Sequence, residues 1–163
     1  MSTTDIHPLF EKLLEGFLVL AGQDPTGAKG SRGFEFESGA HTVRVFPDGE
    51  GARVIIEVDV QTLRPDEVEK APLLLMLHQL NEAARPEHGW TVTIDEGDAI
   101  LLSTSLALAE TDGVKLQSAV TEALDRAESL TALIAQFSTS ASEGSGGAIP
   151  EAAAASFNPL DRA

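Results

Sequence analysis

The sequence contains no cysteine. Disulfides, thiolate metal sites and cysteine nucleophiles are therefore excluded. Basic residues are few: 11 Lys and Arg stand against 26 Asp and Glu, for a formal net charge of −15. Phosphate contacts need clustered Lys and Arg, and here those residues are scattered, so no nucleic-acid partner is expected. An anionic membrane would repel such a surface. No apolar run approaches the roughly 20 residues that span a bilayer, so membrane insertion is not expected either. The opening MSTTDIHPLFEKLLEGF lacks a basic stretch followed by an apolar run and a small-residue cleavage site. No signal peptide is expected, and the expected location is cytoplasmic.

What is present suits a folded protein. The chain has 163 residues, of which 42% are hydrophobic, enough for one domain with a real core. A strongly acidic surface keeps a protein soluble, which suits one that also offers apolar surface to a partner.

The first predicted helix runs from about Pro8 to Leu20. Leu9, Leu13 and Phe17 lie four apart, and Phe10, Leu14 and Leu18 form the adjacent row. Pro8 suits its first turn, and Gly22 ends it. The segment GQDPTGAKGSRG (22–33) reads as a glycine-rich loop. Three strands follow, at 34–36, 41–46 and 52–60. In the last, Val54, Ile56, Val58 and Val60 share one face, and Arg53, Glu57 and Asp59 the other, with Ile55 the apolar exception. SGA (38–40) and PDGEG (47–51) supply the turns.

A second helix is predicted over Leu73–Ala84, with Pro72 in its first turn and a break at Pro86 and Gly89. A second hairpin follows, turning at DEGD (95–98). A third helix starts near Thr111 or Asp112, with Leu116, Val120, Leu124, Ala127, Leu130 and Ile134 as its apolar stripe. The expected fold is α+β, in the order α-β-β-β-α-β-β-α, with a twisted antiparallel sheet packed by helices. Composition turns small, polar and glycine-rich after Phe137. The expected organisation is therefore a folded domain over 1–137 and a flexible tail over 138–163.

Motifs that carry chemistry do not emerge. GQDPTGAKGS comes near the phosphate-binding G-x-x-x-x-G-K-[ST], but Ala28 separates Gly27 from Lys29. That motif also needs a strand before the loop and a helix after it, the reverse of the order here. His7, His41, His78 and His88 share no metal-ligand spacing; His78, on the apolar helix, reads as an interface or core histidine. DEGD lacks the length and ligand pattern of a calcium loop, and no serine sits in a G-x-S-x-G elbow. No catalytic, metal-binding or cofactor-binding residue is assigned, no cofactor is expected, and no enzymatic activity is expected.

The stretch APLLLMLHQL (71–80) is the informative one. Leu73, Leu74, Leu75, Met76 and Leu77 cover every azimuth of a helix, yet a sheet buries only one side. Leaving three or four such side chains in water forgoes roughly 1.5–3 kcal/mol each. Either the third helix covers the second side within one chain, or the helix packs against its twin across a two-fold axis. The second arrangement, a homodimer, is the one expected.

The order of elements, the acidity, the LLLMLHQLNEAARPEHGWTVTIDEGDAILL segment and the LAETDGVKLQSAVTEALDRAESLTALIAQF that follows resemble the class I chaperones of type III secretion, the CesT-like family. The resemblance spans about residues 5–137. It implies a non-enzymatic homodimer that binds the N-terminal segment of a secreted effector protein and keeps it export-competent without ATP. It further implies a dimer interface at Leu73, Leu74, Leu77, Leu80, Trp90 and Val92. Effector binding is implied at Leu9, Phe10, Leu13, Phe17, Val43, Val45 and Ile55, over the first helix and the sheet. A dimeric adaptor or regulator-sequestering protein of the same fold with no export role is the alternative. A small enzyme or ligand-binding domain is a further one, marked by a deep polar pocket with convergent carboxylates.

Overall fold

The computed structural model describes residues 7–63 and 70–142, with no side chains described for Lys70, 84–88 and 137–142. The helices are α1 (Pro8–Leu20), α2 (Lys70–His88) and α3 (Gly113–Ser142). The strands are β1 (Phe34–Ser38), β2 (His41–Pro47), β3 (Arg53–Thr62), β4 (Thr91–Ile94) and β5 (Ala99–Ala107). They form one five-stranded antiparallel sheet in the order β1-β2-β3-β5-β4. The expected α+β order is thus the observed one. The chain divides into two compact units, Met1–Val58 with Ser103–Leu124, and Asp59–Leu102 with Asp125–Ala163.

In the first unit, α1 starts on His7, whose carbonyl accepts from the N–H groups of Phe10 and Glu11. Pro8 takes the position where a missing N–H costs nothing. The helix buries Phe10, Leu13, Leu14, Phe17 and Leu18. The segment expected as a plain glycine-rich loop contains a 3₁₀ turn, Pro25–Ala28, with Ala28 fully buried. Asp24 caps that turn by accepting from the Thr26 N–H at 2.9 Å. The Thr26 backbone and hydroxyl hold the Asp24 carboxyl below its ordinary pKa. Gly30 N–H then donates to Glu11 Oε1 at 2.8 Å, tying the segment to α1.

The β-strands alternate as their sequences require. Val43, Val45, Val54, Ile56 and Val58 face inward and are buried. On the outer face Arg44 bridges two carboxylates, Glu35 Oε2 at 3.0 Å and Glu57 Oε1 at 2.7 Å. At the β2–β3 turn Asp48 Oδ1 accepts from the N–H groups of Ala52 and Arg53. Asp112 caps α3 by accepting from Lys115 N–H at 2.8 Å. The helix start packs directly on α1: a Cβ placed on Gly113 would lie 2.7 Å from the Gly16 carbonyl carbon.

In the second unit, α2 starts three residues before the predicted Leu73 and continues past the expected break. Pro86 stands in its last turn, and Gly89, at φ +64°, ends it. Leu73, Met76, Leu77 and Leu80 form the buried face of α2. At the β4–β5 turn Asp95 Oδ1 accepts from the N–H groups of Gly97 and Ala99, both at 2.8 Å. Trp90 is buried, with the Arg126 guanidinium of α3 5.0 Å from its ring centre. The α3 helix continues to Ser142, past Phe137 where the tail was expected to begin, and 143–163 lie outside the described residues.

Candidate functional site: an apolar helix face and an open sheet edge

Two surfaces of the chain lack a covering element among the described residues. The first is on α2. Its sequence is apolar all round over Leu73–Leu77, and one side is used up by the core. Leu74 and Leu75 remain 51% and 54% exposed. Ala71 precedes them by one turn and His78 follows by one turn, both exposed, so the four residues share a face. His78 is therefore at the surface of the single chain, not in its core.

The second surface is the β1 side of the sheet. β1 is terminal in the strand order, and its hydrogen-bonding parity follows from its neighbours. Asp48 N–H donates to Arg53 O at 2.9 Å. Counting back by twos, Phe46–Ile55 and Arg44–Glu57 are the hydrogen-bonded pairs of β2 and β3. Arg44 thus turns its backbone toward β3, and its partner on β1, Glu35, turns away from β2. The N–H and C=O groups of Glu35 and Glu37 consequently point to the open side.

Beside that edge lies an aromatic cluster. Phe17 of α1 meets Phe34 edge-on at 6.3 Å between ring centres and Phe36 at 6.1 Å. Phe34 and Phe36 are half-buried and pair with the fully buried Val45 and Val43. The edge therefore presents apolar side chains inward and carboxylates outward.

The opposite end of the sheet is treated differently. β4 is also terminal in the order, but the Asn81 side chain of α2 covers it at Val92. Asn81 Nδ2 donates to Val92 O at 2.8 Å, and Val92 N–H donates to Asn81 Oδ1 at 2.7 Å.

The residues singled out from the sequence divide sharply by exposure. Of the effector-binding set, Leu9 is 49% exposed and Ile55 half-buried on the outer face, beside Phe46. Phe10, Leu13, Phe17, Val43 and Val45 are core residues of the single chain. Of the dimer set, Leu74 is at the surface, while Leu73, Leu77, Leu80, Trp90 and Val92 are buried within the chain. Leu75, Phe34, Phe36 and Phe46 belong to neither set. Leu75 was visible as the residue beside Leu74, and Phe34 and Phe36 as the alternation in FEFES.

Among the described residues, no three His, Asp or Glu side chains converge as a metal site. A shallow, open cavity of about 330 Å³ lies where β5 leads into α3, lined by Glu110, Thr111, Lys115 and Glu122 among others. Its Lys115 Nζ donates to the Glu110 carbonyl at 2.7 Å. No helix of the described residues is long and apolar enough to cross a membrane.

The family model for the Tir chaperone protein (CesT) family matches residues 12–131, from α1 into α3. The chain belongs to this family. It is a family of type III secretion chaperones, as the resemblance in the sequence led one to expect. Comparison with curated proteins returns no match. Among solved structures, the Yersinia pestis type III secretion chaperone SycH, in complex with a stable fragment of YscM2, is similar at TM-score 0.55 and 21% identity. The match covers 74% of this chain and 98% of that one. A chain of the ExsC–ExsE complex is similar at TM-score 0.59 and 19% identity, over 76% of this chain and 91% of that one. A chain of the ExoT–SpcS complex from Pseudomonas aeruginosa matches at TM-score 0.54 and 9% identity, over 76% and 97%. At these identities the structures speak for the fold, and the family match speaks for the class.

Proposed function

We propose that this CesT-family chain is a homodimeric, non-enzymatic chaperone that holds the N-terminal segment of a secreted effector extended and export-competent, without ATP, in the cytoplasm. The family match over residues 12–131 is the observation that carries this reading. The two uncovered surfaces divide its two tasks. On α2, the exposed Leu74 and Leu75 have no covering element among the described residues. A second copy of α2 across a two-fold axis would cover them, with Leu73, Leu77, Leu80, Trp90 and Val92 as the packed layer beneath. In the other unit, the open edge of β1 offers backbone groups to an extended segment. Leu9 and Ile55 are the accessible members of the effector-binding set, whereas Phe10, Leu13, Phe17, Val43 and Val45 are buried within the chain.

An extended segment suits export because it keeps its own chain unfolded while its apolar side chains are covered. Ordering it costs free energy that the chaperone surface must offset, and backbone pairing at a sheet edge supplies that without demanding one sequence. The test is capture of partners by the tagged chain in its native host, with identification by mass spectrometry. One secreted protein, still bound in nucleotide-free buffer, is the expected result. A regulator with no export signal would move the chain to the adaptor reading, and a monomeric mass with no partner would overturn the proposal.

A further inference from the structure

The parity of β1 sorts what can pair with it by charge, and this inference rests on the chaperone reading above. A strand added beside β1 would form its hydrogen-bonded pairs at Glu35 and Glu37, whose N–H and C=O groups face the open side. The added residues opposite those two would share their outer face, and the residue between them would share the inner face of Phe36. On the outer face Glu35 is already held by Arg44 at 3.0 Å. Glu37 is exposed, lies opposite Thr42, and has no ion-pair partner among the described residues.

We infer that the β1 edge selects an extended segment with a basic–apolar–basic triplet, its Lys or Arg side chains opposite Glu35 and Glu37 and its apolar side chain beside Phe34 and Phe36. Opposite charges directly across a strand pair stabilise it and like charges oppose it. The same carboxylates work against self-association. Two β1 edges brought together would face Glu35 and Glu37 of one copy with the same carboxylates of the other, the usual protection of an open edge. Glu37 is the stronger selector, because Arg44 already neutralises much of Glu35. Within this sheet the selection belongs to β1, since Asn81 already occupies the backbone groups of Val92 on β4.

The experiment compares two synthetic ten-residue peptides, one alternating Val with Lys and one alternating Val with Glu. Affinity is measured by fluorescence anisotropy at low salt, and hydrogen exchange of the Glu35 and Glu37 amides is followed by NMR. The expected result is about three- to tenfold tighter binding of the Lys peptide, narrowing as salt rises, with both amides becoming protected. Glu37→Lys, on an exposed strand position, should remove or reverse that preference, and Glu37→Gln should reduce it. Equal binding of the two peptides, or tighter binding of the Glu peptide, overturns the selection. Binding without protection of the Glu35 and Glu37 amides overturns the edge as the docking site. So does failure of both peptides while the intact partner is still captured from the host, which leaves the chaperone reading standing.

Discussion

The side-chain amide of Asn81 satisfies both backbone groups of Val92, donating to its carbonyl at 2.8 Å and accepting from its N–H at 2.7 Å. One residue thus fixes α2 against β4 and occupies an edge that would otherwise be open to pairing. Both Asn81 and its bonds are part-buried, so losing the partner leaves two backbone groups short of hydrogen bonds. Asn81→Leu should cost about 1–3 kcal/mol, read as a lower urea midpoint with an unchanged slope. Asn81→Asp keeps the acceptor but sets a carboxylate against the Val92 carbonyl, and should also destabilise. An unchanged midpoint in both variants would mean the pairing contributes nothing.

Gly16 and Gly113 answer differently to the same substitution. A Cβ on Gly113 would sit 2.7 Å from the Gly16 carbonyl carbon and 2.9 Å from the Phe17 nitrogen, both backbone atoms that cannot swing aside. Gly113→Ala should therefore cost about 1–3 kcal/mol. On Gly16 the nearest atom would be 3.7 Å away. Gly16→Ala should be neutral or stabilise by up to about 1 kcal/mol through helix propensity. Thermal melts of the two variants give the comparison directly, and equal destabilisation would contradict the stated packing.

The dimer proposal separates by exposure on one helix. Leu74→Asp and Leu75→Asp change side chains that are half in water, so each should leave the chain folded and convert the dimer to monomer by light scattering. Leu73→Asp places a charge in a fully buried site and should unfold the chain. A wild-type chain of monomeric mass would remove the dimer.

The same contrast applies to partner binding. Leu9→Asp should weaken capture of the partner while circular dichroism stays unchanged. Phe10→Ala, in the core beside it, should cost about 3–5 kcal/mol of stability. If Leu9→Asp leaves capture intact, the α1 surface is not part of the binding site.

Much of the fold was legible because the sequence states its periods plainly. Alternation in HTVRVF and in ARVIIEVDV marks one buried face of each strand, and Asp112 announces the α3 cap. The ordered 22–33 segment was missed because its glycines outweigh its signal, although Asp24–Pro25 is itself a helix-start pattern. The α2 end differs because the sequence reads Pro86 as a break, whereas the helix runs through it to His88 and stops at Gly89, whose φ of +64° ends it. The site was less legible for a physical reason. A valine at an inward position reads alike whether its own chain or a partner covers it, so Val43 and Val45 could not be told apart from surface residues. The all-round apolar run of α2 was the exception: its pattern exceeds the one face a core takes up, and Leu74 and Leu75 remain half exposed. What sequence could not supply is the backbone parity of β1, which depends on the register set by the neighbouring strands.

The most direct test of the central claim is retention of the captured partner with and without its N-terminal segment, in nucleotide-free buffer. The chaperone account predicts that the intact partner stays bound and that the partner lacking the segment is lost. Undiminished retention of the truncated partner, or binding that appears only with ATP, would contradict it.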